Sequence, residues 1–592
     1  MKKILYIGLI LCLSVTSCQD AFDLTPTDII SGDIVFEDEG LADAFLVDLY
    51  DRAQFHIKSL GSNINMGLIN SFGGESRNFA PWQAPFGRVL DIDFNEEGAG
   101  VIAYWPYGLI RECNVFIENL GQSTALSEDY VNVRSAEARF IRAWEYMEMV
   151  IRYGGVPLIT EAQDINAPSE ELFVARSSEK EIYDFIGAEM DEIAAILPDK
   201  ADIDGRVTRW TALALKSRAM LYAASIANFG APQLNGVLGF PQSEARSYYQ
   251  KSLDASSEIM NNGPFSLYRR IGDPVDNFIE LFLDENNNPE VIFAEKYDQE
   301  AGKNHSLDIT GTPAGFGFAW NSNYPVYLET LENFDFVDGT TGKLDRSIYD
   351  GKTPIDPKRF FGERDPRMRA SIFYPGAPFK DGTFYSHRKT FYTDPATGEK
   401  ANSNAPGFIV PGSDGWPGAG HPRHRGGNPT GLLMRKRINP ATPDGTGSST
   451  DIIIFRLGEI LLNYVEAAYY LDDPNGDMEA VLNDLRDRAG MPALSRGEIT
   501  EDKIRQERRV ELAFEYHVFW DLRRWRIAVQ ELNQVQRHRI HFEYDYDEGT
   551  YTMLMADGDL GRIRLHPERN YYYALGLGRL ADNPNLVENP GY

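Results

Sequence analysis

The chain has 592 residues, with 88 Asp or Glu against 58 Lys or Arg and a formal charge of −30. Nucleic acid and anionic headgroups are bound through clustered Lys and Arg, so a body this acidic excludes a nucleic-acid partner and favours neutral ligands over polyanions. The two local basic runs, residues 421–425 (HPRHR) and 435–437 (RKR), both lie in or beside glycine-rich sequence.

Lys2 and Lys3 precede an apolar run from Ile4 to Val15, too short for a bilayer core that needs about 20 helical residues. The sequence Val15, Thr16, Ser17, Cys18 fits a bacterial lipoprotein cleavage box, so residues 1–17 are expected to be removed. Cys18 would then be the acylated N-terminus, its acyl chains holding the protein to a membrane at roughly 0.8 kcal/mol per buried methylene, with residues 18–31 as tether. Cys12 leaves with the signal, so Cys113 alone remains in the body and no intramolecular disulfide is expected. With no second long apolar segment, the body is expected to be soluble and tethered, a single domain over 32–592.

Helical periodicity dominates residues 32–263. Phe140, Trp144, Met147 and Ile151 recur at steps of three and four over 137–153, and similar patterns cover 179–197, 209–227 and 243–262, each closed by Gly, Pro or Asn. Paired amphipathic helices of this kind stack as tetratricopeptide-like hairpins, although the strict 34-residue consensus is absent. The middle, 264–449, reads as a loop-rich ligand-binding region with short aromatic runs such as 291–297 (VIFAEKY). From 401 to 450, 17 of 50 residues are Gly or Pro, which points to irregular loops of functional kind. Over 450–592 helical patterns return at 455–471, 478–489 and 504–532. Asp472, Asp473, Asn475 and Asp477 look like the start of a calcium loop, but the glutamate at its twelfth position is missing, and a polar turn closing the preceding helix accounts for them.

The segment Ile504 to Trp525 (IRQERRVELAFEYHVFWDLRRW) reads as one helix on which Glu507, Glu511 and Glu515 recur every four residues beside Arg508 and Arg509. Such a charged face is most often solvated. Residues 570–576 (NYYYALG) and 583–592 (NPNLVENPGY) follow. With 137–160, 205–222 and 456–471 in the same order, these segments resemble the SusD/RagB family of outer-membrane nutrient-uptake lipoproteins. The resemblance implies a mainly α, tetratricopeptide-like helical-hairpin scaffold with a loop-rich, partly irregular middle. It also implies binding without turnover, an outer-membrane location facing outward, and a SusC-like TonB-dependent β-barrel transporter as partner. Some proteins similar to this family bind peptides instead.

No H-E-x-x-H, G-x-S-x-G, Walker loop or dinucleotide fingerprint occurs. No cofactor or metal is expected, since His421 and His424 lack nearby carboxylates. A glycosidase carboxylate pair, held roughly 5 to 10 Å apart across a sugar, cannot be read from sequence, and a lipid-anchored glycoside hydrolase is the alternative to glycan capture. Sugar recognition combines aromatic platforms with hydrogen-bonding side chains. Two loops hold both. Residues 73–88 carry Trp82 with Arg77 and Asn78, and residues 315–327 carry Trp320 with Asn321 and Tyr324; Trp416 is a third platform. Trp82 and Trp320 are expected to lie close together, whereas Trp105, Trp144, Trp210, Trp520 and Trp525 are assigned to helical packing.

Overall fold

The computed structural model describes residues 32–53, 55–56, 68–77, 102–164, 166–313, 316, 322–404, 431–559 and 561–592. Its fold is mainly α. The first helices are α1 (Glu39–Arg52), α2 (Tyr107–Leu120), α3 (Glu128–Tyr153), α4 (Glu179–Ala194), α5 (Arg209–Phe229) and α6 (Ala245–Asn262). After the middle region come α7 (Leu457–Tyr470), α8 (Met478–Arg488), α9 (Glu501–Glu511) and α10 (Val518–Arg524). Successive helices pack in pairs, α2 on α3, α4 on α5, α5 on α6 and α7 on α8, with α6 also against α7. This is the stacked-hairpin arrangement of a tetratricopeptide-like scaffold.

Local chemistry sets the helix ends. Ser127 accepts a hydrogen bond from the Tyr130 amide at 3.2 Å, which starts α3 nine residues before the periodic pattern does. Ser178 and Glu181 close a capping box on α4, and Thr208 and Thr211 another on α5. Trp144 is a core residue, its ring 5.4 Å from Phe55 and 5.8 Å from Phe455. Trp210, Trp520 and Trp525 are buried as well, while Trp105 is half-buried ahead of α2, covered by the Arg579 guanidinium at 4.5 Å. Cys113 is a free thiol inside α2, its pKa pushed up by burial. At the end of α7, Asp472 and Asp473 take left-handed φ of 67° and 54°, and the Asp473 carboxylate accepts from the Met478 amide. The polar turn thus joins α7 to α8.

The middle contributes strands as well as loops: β1 (Val291–Glu295), β2 (Asp350–Ile355), β3 (Ile372–Phe373), β4 (Lys389–Thr393), β5 (Lys400–Ser403) and β6 (Leu433–Met434). Past the glycine-rich stretch lie β7 (Ile452–Arg456), β8 (His538–Asp545) and β9 (Thr550–Asp557). The run 291–297 opens with strand β1, Val291–Glu295, paired antiparallel with β7, so Phe455 belongs to a strand and α7 starts only at Leu457. The hairpin β8–β9, in register from His538 against Asp557 to Asp545 against Thr550, was not expected in a helical C-terminal part. It forms the middle of a five-stranded sheet in the order β2, β9, β8, β4, β5, with β8 and β4 parallel. Inward Ile540, Phe542, Tyr551 and Met553 bury its apolar side.

The expected continuous helix over 504–532 is also corrected. It ends at Glu511, and α10 begins at Val518. Between them Phe514 and Tyr516 adopt φ of 61° and 70°, conformations that bulky residues take only under constraint, at a cost of order 1–3 kcal/mol each. Among the described residues no helix is long and apolar enough to cross a membrane.

Candidate functional site

Of the residues singled out for ligand contact, Trp82, Trp320, Trp416, Asn78 and Asn321 lie outside the described residues, as do His421, His424 and Cys18. Arg77 and Tyr324 are described, and both side chains are buried, each 4 % exposed. The Tyr324 hydroxyl is 2.8 Å from the Thr310 hydroxyl, a packing role. Burial pushes the Arg77 guanidinium pKa down, and its Nη2 has no hydrogen-bond partner.

The described ends of the three aromatic loops are stitched together. Ser76 bridges Val326 antiparallel, and the Arg77 amide donates to the Pro325 carbonyl at 2.7 Å. The Val326 amide donates to Leu432 at 3.0 Å, the Met434 amide to Tyr324 at 2.9 Å, and the Arg435 amide to Ser371 at 2.8 Å. The segments at 76–77, 325–326, 432–434 and 371–372 therefore form one ribbon from which the three loops leave. Gly431 sits where the third loop rejoins, with φ +83°, and a Cβ there would stand 2.4 Å from the Ile540 carbonyl oxygen.

Glu75 ties that ribbon to the C-terminal turn. Its carbonyl accepts from the Tyr327 amide at 3.3 Å and the Thr330 hydroxyl at 2.8 Å, and its carboxyl accepts from the Phe514 amide at 2.7 Å. Burial lifts the Glu75 carboxyl to about 8, so it is largely protonated at neutral pH.

The acidic face of α9 is buried, contrary to the solvated face expected of such a pattern. Glu507 faces Arg367 at 2.6 Å and Arg486 at 2.6 Å, and Glu511 faces Arg456 at 2.7 Å and Arg367 at 2.8 Å, with Arg488 closer still. Glu515 accepts from Arg456 through both oxygens at 2.8 Å and from Lys436 at 2.6 Å. Burial pushes the Glu515 carboxyl up, but Arg456 and then Lys436 outweigh it and hold it at about 2. Lys436 also donates to the carbonyls of Glu511 and Ala513, so within the basic run 435–437 Lys436 and Arg437 are internal and Arg435 is half-buried. The signature segment is a mount for the loops. Carboxylate spacing alone could not show this, because the five partner cations come from four other segments.

Among the described residues no group of three or more His, Cys, Asp or Glu is placed to hold a metal ion. A helical-hairpin scaffold with a strand-containing middle, in which the roots of three loops are joined, is the fold class of SusD-like proteins, and comparison with known proteins agrees. Residues 289–592 match the model of the SusD family, and residues 83–221 match one described as starch-binding and associating with the outer membrane. A SusD-like protein of Bacteroides ovatus is 26 % identical over 543 residues, covering 89 % of this chain and 83 % of that one. SusD-like protein P2 of Formosa agariphila is 23 % identical across the whole of both chains. Among solved structures, a SusD-like protein from Bacteroides fragilis superposes with a TM-score of 0.72 at 24 % identity, covering 95 % of this chain and 98 % of that one. A protein described as a laminarin-binding SusD-like protein gives 0.61 at 20 % identity, covering 94 % and 100 %. The chain belongs to the SusD family.

Proposed function

We propose that this protein is a cell-surface glycan-binding lipoprotein that captures oligosaccharides without cleaving them and hands them to a SusC-like TonB-dependent transporter in the outer membrane. The observation that carries the reading is the SusD-family match over 289–592. Relatives described as carbohydrate-binding and laminarin-binding support a glycan as ligand. Cys18 is the anchor, and the platforms are Trp82, Trp320 and Trp416 on the three loops. The joined roots of those loops favour a shared site, since Trp82 stands five residues beyond Arg77 and Trp320 two before Ser322.

A glycan array or affinity-gel screen of the body tests capture, with neutral glucans, mannans and fructans beside peptides. Retention of an oligosaccharide with no new reducing ends is the expected result, and hydrolysis or binding of peptides alone would overturn it. Purification from native membranes in mild detergent should recover a larger β-barrel protein with this chain, and Cys18→Ala should release it from membranes. Repeated purification alone, or a variant that still sediments with membrane, would count against delivery and anchoring respectively.

A further inference from the structure

Beside the loop roots lies a second feature that capture of neutral glycans does not require. A half-open cleft of about 350 Å³ is bounded by Gly73, Gly74 and Glu75 on one side, by Glu329, Glu332 and Arg346 of the middle on another, and by Arg509 and Arg537. That volume lies in the range of small-molecule sites.

Its charges are unequally paired. Glu332 and Glu329 are matched, the first by Arg346 at 2.5 Å and the second by the His538 ring at 2.5 Å and its amide at 3.0 Å. Arg509 and Arg537 are not. The carboxylate that faces both is Glu531, and it stands 3.5 Å from Arg509 and 4.0 Å from Arg537, outside close hydrogen-bond contact. Arg537 donates only to the Glu531 backbone carbonyl at 2.9 Å, and the Nε of each guanidinium lacks a partner. Burial, followed by the neighbouring guanidinium of Arg564, disfavours the charge on Arg537; Glu329 and Glu531 oppose this without outweighing it, and the pKa stays below the usual guanidinium value. Gly74, at φ +74°, leaves room for the Arg537 guanidinium: a Cβ there would meet its Nε at 3.0 Å. The second oxygen of Glu75 is likewise buried and unpartnered. In a chain of charge −30, this cleft thus holds two under-satisfied guanidiniums.

We propose that this cleft is a subsite for a carboxylate-bearing sugar, a uronic acid residue, with Arg509 and Arg537 holding the carboxylate. A guanidinium pair supplies the planar, charge-assisted donors that a carboxylate accepts, and Thr330, Asn333 and Gln506 on the walls can meet ring hydroxyls. The acidic body opposes a polyanion but admits a single carboxylate at this place. The inference rests on the glycan-capture reading and narrows it.

Calorimetric titration with D-glucuronate, D-glucose, D-glucuronamide and acetate tests it, on the folded body and on Arg509→Gln, Arg537→Gln and Glu531→Gln. Glucuronate should bind at least tenfold more tightly than the other three. Arg509→Gln should weaken it tenfold or more at unchanged melting temperature, and Glu531→Gln should strengthen it by removing the competing carboxylate. Arg509 is partly exposed, so its variant remains informative if Arg537→Gln fails to fold. No glucuronate binding, equal binding of glucuronamide or acetate, or indifference to Arg509→Gln would overturn the proposal. Loss of this binding with neutral glycans still retained would sink the subsite alone; loss of both would sink glycan capture.

Discussion

Two parts of the molecule reach rigidity by opposite means. In the α4–α6 stack, small apolar side chains close the helices together: Ala212, Ala214, Ala219, Ala223, Ala224 and Ala227 of α5 are fully buried, and the polar contacts between α5 and α6 at its centre are between neutral groups, Ser217 with Ser256 at 2.8 Å and the Ser252 hydroxyl to the Ser217 carbonyl at 2.8 Å. Around α9 and the turn after it, charges do the closing. Glu507, Glu511 and Glu515 are shared among Arg367, Arg456, Arg486, Arg488 and Lys436, all buried. Apolar packing loses stability in proportion to the atoms removed. A buried ion network instead loses it abruptly, because each lost partner strands a charge.

The sharpest way to break that contrast is Arg456→Met. Arg456 serves Glu290, Glu511 and Glu515 together, so its loss should cost about 5 kcal/mol, the upper end for stranding a buried charge, read as a lowered denaturation midpoint. A midpoint close to that of the parent would show that the network is dispensable. Trp144→Ala should cost about 4 kcal/mol through a core cavity, and a cavity-filling ligand such as benzene should restore part of it. Recovery of that kind is not expected for Arg456→Met.

Glu75 adds a pH signature. Its carboxyl is raised to about 8 by burial, whereas the unfolded chain releases the proton near 4.5. The native state therefore holds the extra proton between those values, so this contribution is complete below pH 4.5 and is lost as pH rises through 8. Glu75→Gln keeps an acceptor for the Phe514 amide without the titration. It should flatten the stability profile over that window by about 5 kcal/mol, and parallel profiles for variant and parent would refute the assignment. The smallest effects belong to the loops: Trp82→Ala and Trp320→Ala should each lower oligosaccharide affinity about tenfold, or 1.4 kcal/mol, with melting temperature unchanged. Two variants that bind like the parent would move the platform to Trp416.

The helices were legible because their signals are local. Apolar spacing marked α4 to α8, and Trp144 could be placed in the core from its face alone. The hairpin β8–β9 was hidden because its partners β2 and β4 come from residues about 150 to 200 positions earlier, and a strand's identity depends on what it pairs with. The end of α9 at Glu511 was hidden for a related reason: Phe514 and Tyr516 hold left-handed conformations enforced by Glu75 and Lys436, not by their own preferences. Arg77 and Tyr324 were chosen for chemistry that suits a ligand, and the fold buries both. Arg509 was read only as part of a charged helix face and Arg537 was not singled out, since 28 residues separate them in sequence.

The hydrogen bond from Phe514 to Glu75 spans 439 positions. Synthesis reaches Phe514 long after Glu75, so the early loop waits for all the intervening residues before its root is fixed. Closing so long a separation draws on contacts already made by intervening helices. A chain cut short before α9 could still stack α3 to α6, yet it would display Glu75 and the 431–438 segment without their mates, a ready target for proteases. The fold itself thereby checks that α9 has been made: the root at Glu75 is fixed only on a molecule translated past Phe514.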